Sequence, residues 1–275
     1  MSRSAAQKII VPIVAALLAL AALLLVMIPS QADLLFPVHA VPPAGPLPPG
    51  AERLQVMTPE GDVLHGVHLK PADEGQGKRT LILGFGGNAW NGQEVATYLH
   101  GIFPDAHVVA FHYRGYRPST GRPSADALMA DAPLLYDEAQ RIVRPDRSVA
   151  VGFSIGSGVA ASLSRQRSLD GVILVTPFDS MKAVAQGMFP WLPVGLFFEH
   201  ELPASADLAG ARTNVAILAA ERDEIIPASR TDALRKAIPM LKFDRTIAGA
   251  GHNDIYHRAD FQAALREALD AVAPK

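Results

Sequence analysis

Six short apolar runs recur between residues 80 and 247, and helix-patterned stretches separate most of them. The runs are Thr80–Phe85, His107–Phe111, Ser148–Phe153, Val172–Thr176, Val215–Ala219 and Lys242–Ile247. Each has strand length and little apolar–polar alternation, the pattern of strands buried on both faces of a sheet. Amphipathic helices are expected over Ala125–Val143, Ile155–Arg165, Ala228–Ile238 and Arg258–Val272. Ahead of this series, Arg53–Thr58 and Val63–Lys70 flank Pro59-Glu60-Gly61-Asp62 and read as a hairpin. A hairpin followed by strand–helix alternation specifies an α/β fold with a mostly parallel, eight-stranded sheet flanked by helices. In such sheets ligands meet the chain at the carboxyl ends of the strands.

The N-terminus has a different character. Arg3 and Lys8 precede an uncharged, Leu/Ala/Val/Ile-dominated stretch from Ile9 to Ile28. At 1.5 Å per residue it spans about 30 Å, the hydrocarbon thickness of a bilayer. Positive charge before it and Asp33 after it favour a single-pass helix with the N-terminus inside and the remainder on the outer side. The alternative is an exported chain cleaved at Ser30-Gln31-Ala32, which has a small-x-small pattern. Residues 29–50 are proline-rich and read as an extended spacer or as a strip along the domain surface. The expected organisation is therefore a cytoplasmic stub (1–8), a transmembrane helix (9–28), a linker (29–50) and one domain (51–275).

Composition excludes several classes. The 275 residues include no cysteine, which removes disulfides, thiolate metal sites and a cysteine nucleophile. Net charge is −2 with no Lys/Arg run, so nucleic acid is not an expected partner. The glycine run Gly84-Phe85-Gly86-Gly87-Asn88 lacks the spacing of either nucleotide-binding loop. Neither a cofactor nor a metal is expected, and oligomeric state is left open.

Ser154 lies in Gly152-Phe153-Ser154-Ile155-Gly156, between an apolar strand and a predicted helix. A hydroxyl nucleophile must be held exposed on a tight turn, and small flanking residues let that turn close. With 22 glycines in the chain the pentapeptide alone is weak evidence, and its alternative is a glycine-rich turn with a bystander serine. The flanking strand and helix shift the balance toward a nucleophile. Of nine histidines, His252 sits on a glycine-rich loop after the last predicted strand, where a general base would be delivered; otherwise it caps the last helix. Asp223 follows the Val215–Ala219 strand and is the first choice for the carboxylate that orients the base. Asp179 is the second, and Glu221 and Glu224 are expected to be solvated. The backbone amides of Ile155 and Asn88 are the expected oxyanion donors.

In their order, Gly-Phe-Ser154-Ile-Gly, Asp223 and Gly-His252-Asn-Asp resemble the α/β-hydrolase superfamily. Tyr113-Arg114-Gly115-Tyr116, Gly121-Arg122-Pro123-Ser124, Pro177-Phe178-Asp179-Ser180, Pro190-Trp191-Leu192-Pro193 and Leu34-Leu35-Phe36-Pro37 resemble its small membrane-anchored branch. The resemblance covers residues 34–275 and implies an α/β-hydrolase fold and a serine hydrolase acting on an ester, thioester or amide. In that branch the loop after the first parallel strand reads His-Gly-Asn-Ala, and here Gly86 stands in the histidine's place. The resemblance implies a bracing role for that histidine, so Gly86 is expected to loosen or reshape the loop. A short lid is expected within 177–212, with apolar Trp191, Phe197 and Phe198 over an acyl pocket or resting on lipid. The expected partners are a small or lipid-like acyl substrate and the membrane. A catalytically silent binding module and an acyltransferase are the alternatives.

Overall fold

The computed structural model describes residues 10–15, 31–72, 78–191 and 194–274. Eight strands form one sheet: β1 (Glu52–Met57), β2 (Val63–Leu69), β3 (Thr80–Phe85), β4 (His107–Phe111), β5 (Arg147–Phe153), β6 (Gly171–Val175), β7 (Asn214–Ala220) and β8 (Leu241–Ile247). Their spatial order is β1-β2-β4-β3-β5-β6-β7-β8. The hairpin β1–β2 is antiparallel and joins β4 antiparallel, while β3 to β8 all run parallel.

Uninterrupted apolar strands make sense once both faces are covered. Leu81 and Leu83 of β3 point into a core shared with helices α2 (Ala125–Val143), α3 (Ile155–Gln166) and α7 (Ala228–Ala237). Ile82, between them, enters a second core on the opposite face. That second core is built from α1 (Gly92–Ile102) and α8 (Ala259–Val272), through Val95, Leu99, Phe261 and Leu265. The edge strand β8 is covered on one side only, and its burial alternates along its length.

Three short helices, α4 (Met181–Met188), α5 (Val194–Phe197) and α6 (Ala204–Leu208), occupy the interval expected to hold the lid. Prolines at 190 and 203 interrupt any longer helix there. The amphipathic helix α1, which the apolar pattern did not announce, is capped by Asn91, whose side chain accepts a hydrogen bond from the amide of Glu94.

The proline-rich strip does not stand away from the domain. Residues 31–35 are helical, and Phe36 is buried against the core. Asn91 and Gln93 donate side-chain N–H groups to the carbonyls of Pro42, Gly45 and Pro46. Prolines offer carbonyl acceptors without amides that would need partners, so such a strip satisfies its polar groups by lying along polar side chains. The expected spacer is thus a surface strip of the domain. Residues 10–15 are helical and exposed, and no helix among the described residues is long and apolar enough to cross a membrane. The apolar stretch 9–28, apart from residues 10–15, lies outside the described residues.

Candidate active site

Ser154 sits between β5 and α3 with φ of 51° and ψ of −117°. This is a left-handed conformation that side-chain-bearing residues rarely adopt, and it costs on the order of 1–3 kcal/mol unless the surroundings enforce it. The surroundings do. The Ser154 amide donates to the Val175 carbonyl at 2.9 Å, and the Ser154 carbonyl accepts from both the amide and the hydroxyl of Ser157. A Cβ on Gly152 would strike the carbonyl of Gly156, and one on Gly156 would strike the carbonyl of Phe85 and lie 2.6 Å from that of Gly86. Glycine at both positions is what lets the turn close with its side chain facing the cavity.

The loop after β7 and the loop after β8 bring the two other expected residues to that hydroxyl. His252 Nε2 lies 3.0 Å from Ser154 Oγ, and His252 Nδ1 lies 2.9 Å from both carboxylate oxygens of Asp223. Both side chains are less than a tenth exposed. A carboxylate only accepts, so it selects the tautomer with the proton on Nδ1 and leaves Nε2 free to accept from the serine hydroxyl. Asp223 is itself held by the amides of Ile225 and Ile226 at 3.0 and 2.7 Å.

Asp179 is not the partner of His252; it pairs with Arg230 at 3.2 Å. Glu221 and Glu224, although exposed, are more than solvated: Glu224 accepts from the His252 amide at 3.0 Å and Glu221 from the Gly249 amide at 2.7 Å. Both acids fasten the histidine loop to the loop that carries Asp223. The last helix, α8, has Arg258 at its cap position, so His252 does not cap it.

Asn88 and Ile155 border the same cavity as Ser154 and His252. Ile155 opens α3, where an amide has no partner inside the helix. The loop carrying Asn88 is held by two tyrosines: Tyr113 donates its hydroxyl to the Gly86 carbonyl at 2.8 Å, and Tyr116 donates to the Asn88 carbonyl. Burial raises both phenols well above their ordinary pKa, so they remain donors. A side chain at Gly86 would meet Val95 at 2.8 Å and the Trp90 carbonyl at 3.2 Å. The loop is accordingly braced from a different side, and a histidine there would require Val95 to shift. Tyr113 and Tyr116 were visible only as part of a motif; nothing in their local sequence discloses the distant carbonyls they reach.

The cavity, about 350 Å³, is predominantly apolar. Phe197 and Phe198 line it as expected, with Met181, Val184, Met188 and Phe189 of the lid and Ile225 and Ile226 of the Asp223 loop. Trp191 is not among the residues lining the cavity: it is 74% exposed and meets Phe189 edge-on, so of its two expected placements the exposed one is observed. Gln31, Leu34 and Leu35, from the segment following the N-terminal apolar stretch, complete the wall. Among the described residues no cluster of three or more His, Asp or Glu side chains is arranged to hold a metal.

No family model matches the sequence. The chain is 32% identical over 222 residues to an uncharacterised protein of Mycobacterium tuberculosis, an alignment covering 78% of each. It is 28% identical over 202 residues to alpha/beta hydrolase domain-containing protein 17C of Xenopus tropicalis, covering 72% of this chain and 64% of that one. Among solved structures, a Pyrococcus furiosus esterase superposes with a TM-score of 0.64 at 15% identity, covering 84% of this chain and 97% of the other. A lidless α/β serine hydrolase of Xanthomonas campestris gives 0.61 at 17% identity, covering 84% and 99%. Sheet order, strand–turn–helix geometry and sequence relatives agree: the chain belongs to the α/β-hydrolase superfamily.

Proposed function

We propose that this protein is a serine hydrolase that cleaves the ester or thioester of an apolar acyl group through an acyl-enzyme on Ser154. The observation that carries the reading is the continuous Asp223–His252–Ser154 hydrogen-bonded relay opening into an apolar cavity. His252 Nε2 takes the hydroxyl proton as Oγ attacks the acyl carbon. The oxyanion that forms faces the amides of Ile155 and Asn88, at the N-terminus of α3, where the helix dipole favours negative charge. His252 then returns the proton to the departing alcohol or thiol as the carbonyl re-forms. Water, deprotonated by the same nitrogen, releases the carboxylic acid and restores the serine.

The walls support an aliphatic acyl group. The cavity, about 350 Å³, falls in the size range of small-molecule pockets and suits a medium-length acyl chain. The apolar stretch 9–28 supports a single-pass anchor with the catalytic domain on the outer side of the membrane. Hydrolysis of 4-nitrophenyl decanoate by the full chain, abolished in Ser154→Ala, is the result expected. Absence of turnover across a broad ester, thioester and peptide panel would support a silent binding module instead. Ester products formed with added alcohols would indicate acyl transfer.

A further inference from the structure

The helical segment 31–35 borders the cavity and is fastened to the rest of the domain at both ends. At its inner end, Phe36 is 1% exposed and meets His200 edge-on at 5.6 Å. At its outer end, Gln31 bridges to the lid: its Nε2 donates to the Phe197 carbonyl at 3.0 Å, and its Oε1 accepts from the Glu199 amide at 3.2 Å. Phe197 is the last residue of a helix of only four residues, so its carbonyl has no partner within that helix. A primary amide supplies the donor and the acceptor that two backbone groups on one strand of chain require. Between these anchors, Leu34 and Leu35 line the cavity, as does Phe197, whose carbonyl Gln31 holds. The two sides of the apolar chamber are therefore joined by one side chain that does not touch the relay.

We propose that Gln31 is a specificity-determining positioning residue: by tying the segment 31–35 to the lid, it sets the length of acyl chain that the cavity accepts. This rests on the acyl-hydrolase reading. Without the tie, the lid and the segment separate, water enters the chamber, and the far end of a chain no longer meets a closed wall. Removal of the chain up to Ala32 would abolish the tie outright, so the segment is a working part of the site as well as a connection.

The test is the dependence of kcat and KM on acyl length, using 4-nitrophenyl esters from acetyl to hexadecanoyl in detergent micelles. The full chain is compared with Gln31→Met, which keeps length without polar atoms, and Gln31→Glu, which keeps the acceptor without the donor. Both variants are expected to lose less kcat/KM on the acetyl and butyryl esters than on the decanoyl ester. KM for the decanoyl ester should rise about tenfold, and the hexadecanoyl-to-decanoyl ratio of kcat/KM should increase. Profiles that superimpose on wild type, or that are lowered by one common factor at every length, would overturn the proposal while leaving the hydrolase reading intact. If wild type turns over no ester of the series, the proposal on Gln31 falls, and the thioester and peptide panel decides the hydrolase reading separately.

Discussion

The Tyr113 hydroxyl donates to the Gly86 carbonyl at 2.8 Å, across 27 residues of chain, and this bond fixes the loop whose next residues face Ser154. Tyr113→Phe leaves that carbonyl without its donor, which costs about 1–3 kcal/mol for a buried group. It also frees the loop to shift. Steady-state kinetics on a decanoyl ester should show kcat lowered about tenfold, since small misplacements of a catalytic backbone are expensive, with KM nearly unchanged. A variant with wild-type kcat would mean that the loop is held by other contacts.

Gly86→His introduces the residue that the resemblance implied for this loop, and the contacts around Gly86 argue against any gain. Its Cβ would press on Val95 and on the Trp90 carbonyl at 2.8 and 3.2 Å. Overpacking of this kind costs about 1–3 kcal/mol. Urea denaturation should show a lower midpoint, and kcat should not rise. Higher activity with undiminished stability would show that the loop has slack.

Asp223 and Asp179 were both candidates for the orienting acid, and their contacts now separate them. Asp223→Asn should lower kcat by on the order of 10⁴-fold by favouring the wrong imidazole tautomer. Asp179→Asn only weakens the pair with Arg230 and should leave kcat within about threefold, as expected for a change away from the reacting groups. Matched kinetics on the two variants decide the assignment. Equal losses would contradict it.

His112 is buried, its Nδ1 has no hydrogen-bond partner, and burial, with a smaller contribution from His65, pushes its pKa from 6.5 down to about 4. Between those values the unfolded chain binds a proton that the folded chain does not, so stability falls as pH drops from 6.5 to 4. The full effect is roughly 3 kcal/mol. His200, also lowered by burial, contributes in the same direction. Urea midpoints measured across this window should fall less steeply for His112→Asn than for wild type. Parallel curves would remove His112 as the cause.

The parallel strands were legible because burial on both faces leaves continuous apolar runs, and β3 and β4 have the boundaries the pattern indicated. The turn at Ser154 was legible because its glycines are local necessities of a turn that closes on itself. Helix α1 was missed although Asn91 and Glu94 stand three residues apart at its start, a capping signal that outweighs its mixed composition. The lid was harder, since α4, α5 and α6 are too short for periodicity to show, and their positions depend on the cavity they cover. The roles of Tyr113, Tyr116, Glu224 and Gln31 could not be read from sequence, because each acts on a backbone group far along the chain. The placement of Trp191 was left open between pocket and surface because hydrophobicity reports a preference for burial, not which side of a lid a ring will occupy.

Every step of the proposed chemistry runs through acylation of Ser154. Incubation of the intact protein with a fluorophosphonate bearing a decyl chain, followed by peptide mapping, tests it most directly. One adduct is expected, on the peptide containing Ser154, lost in Ser154→Ala and strongly slowed in His252→Ala. A folded wild-type protein that takes up no label, or equal labelling of the Ser154→Ala variant, would contradict it.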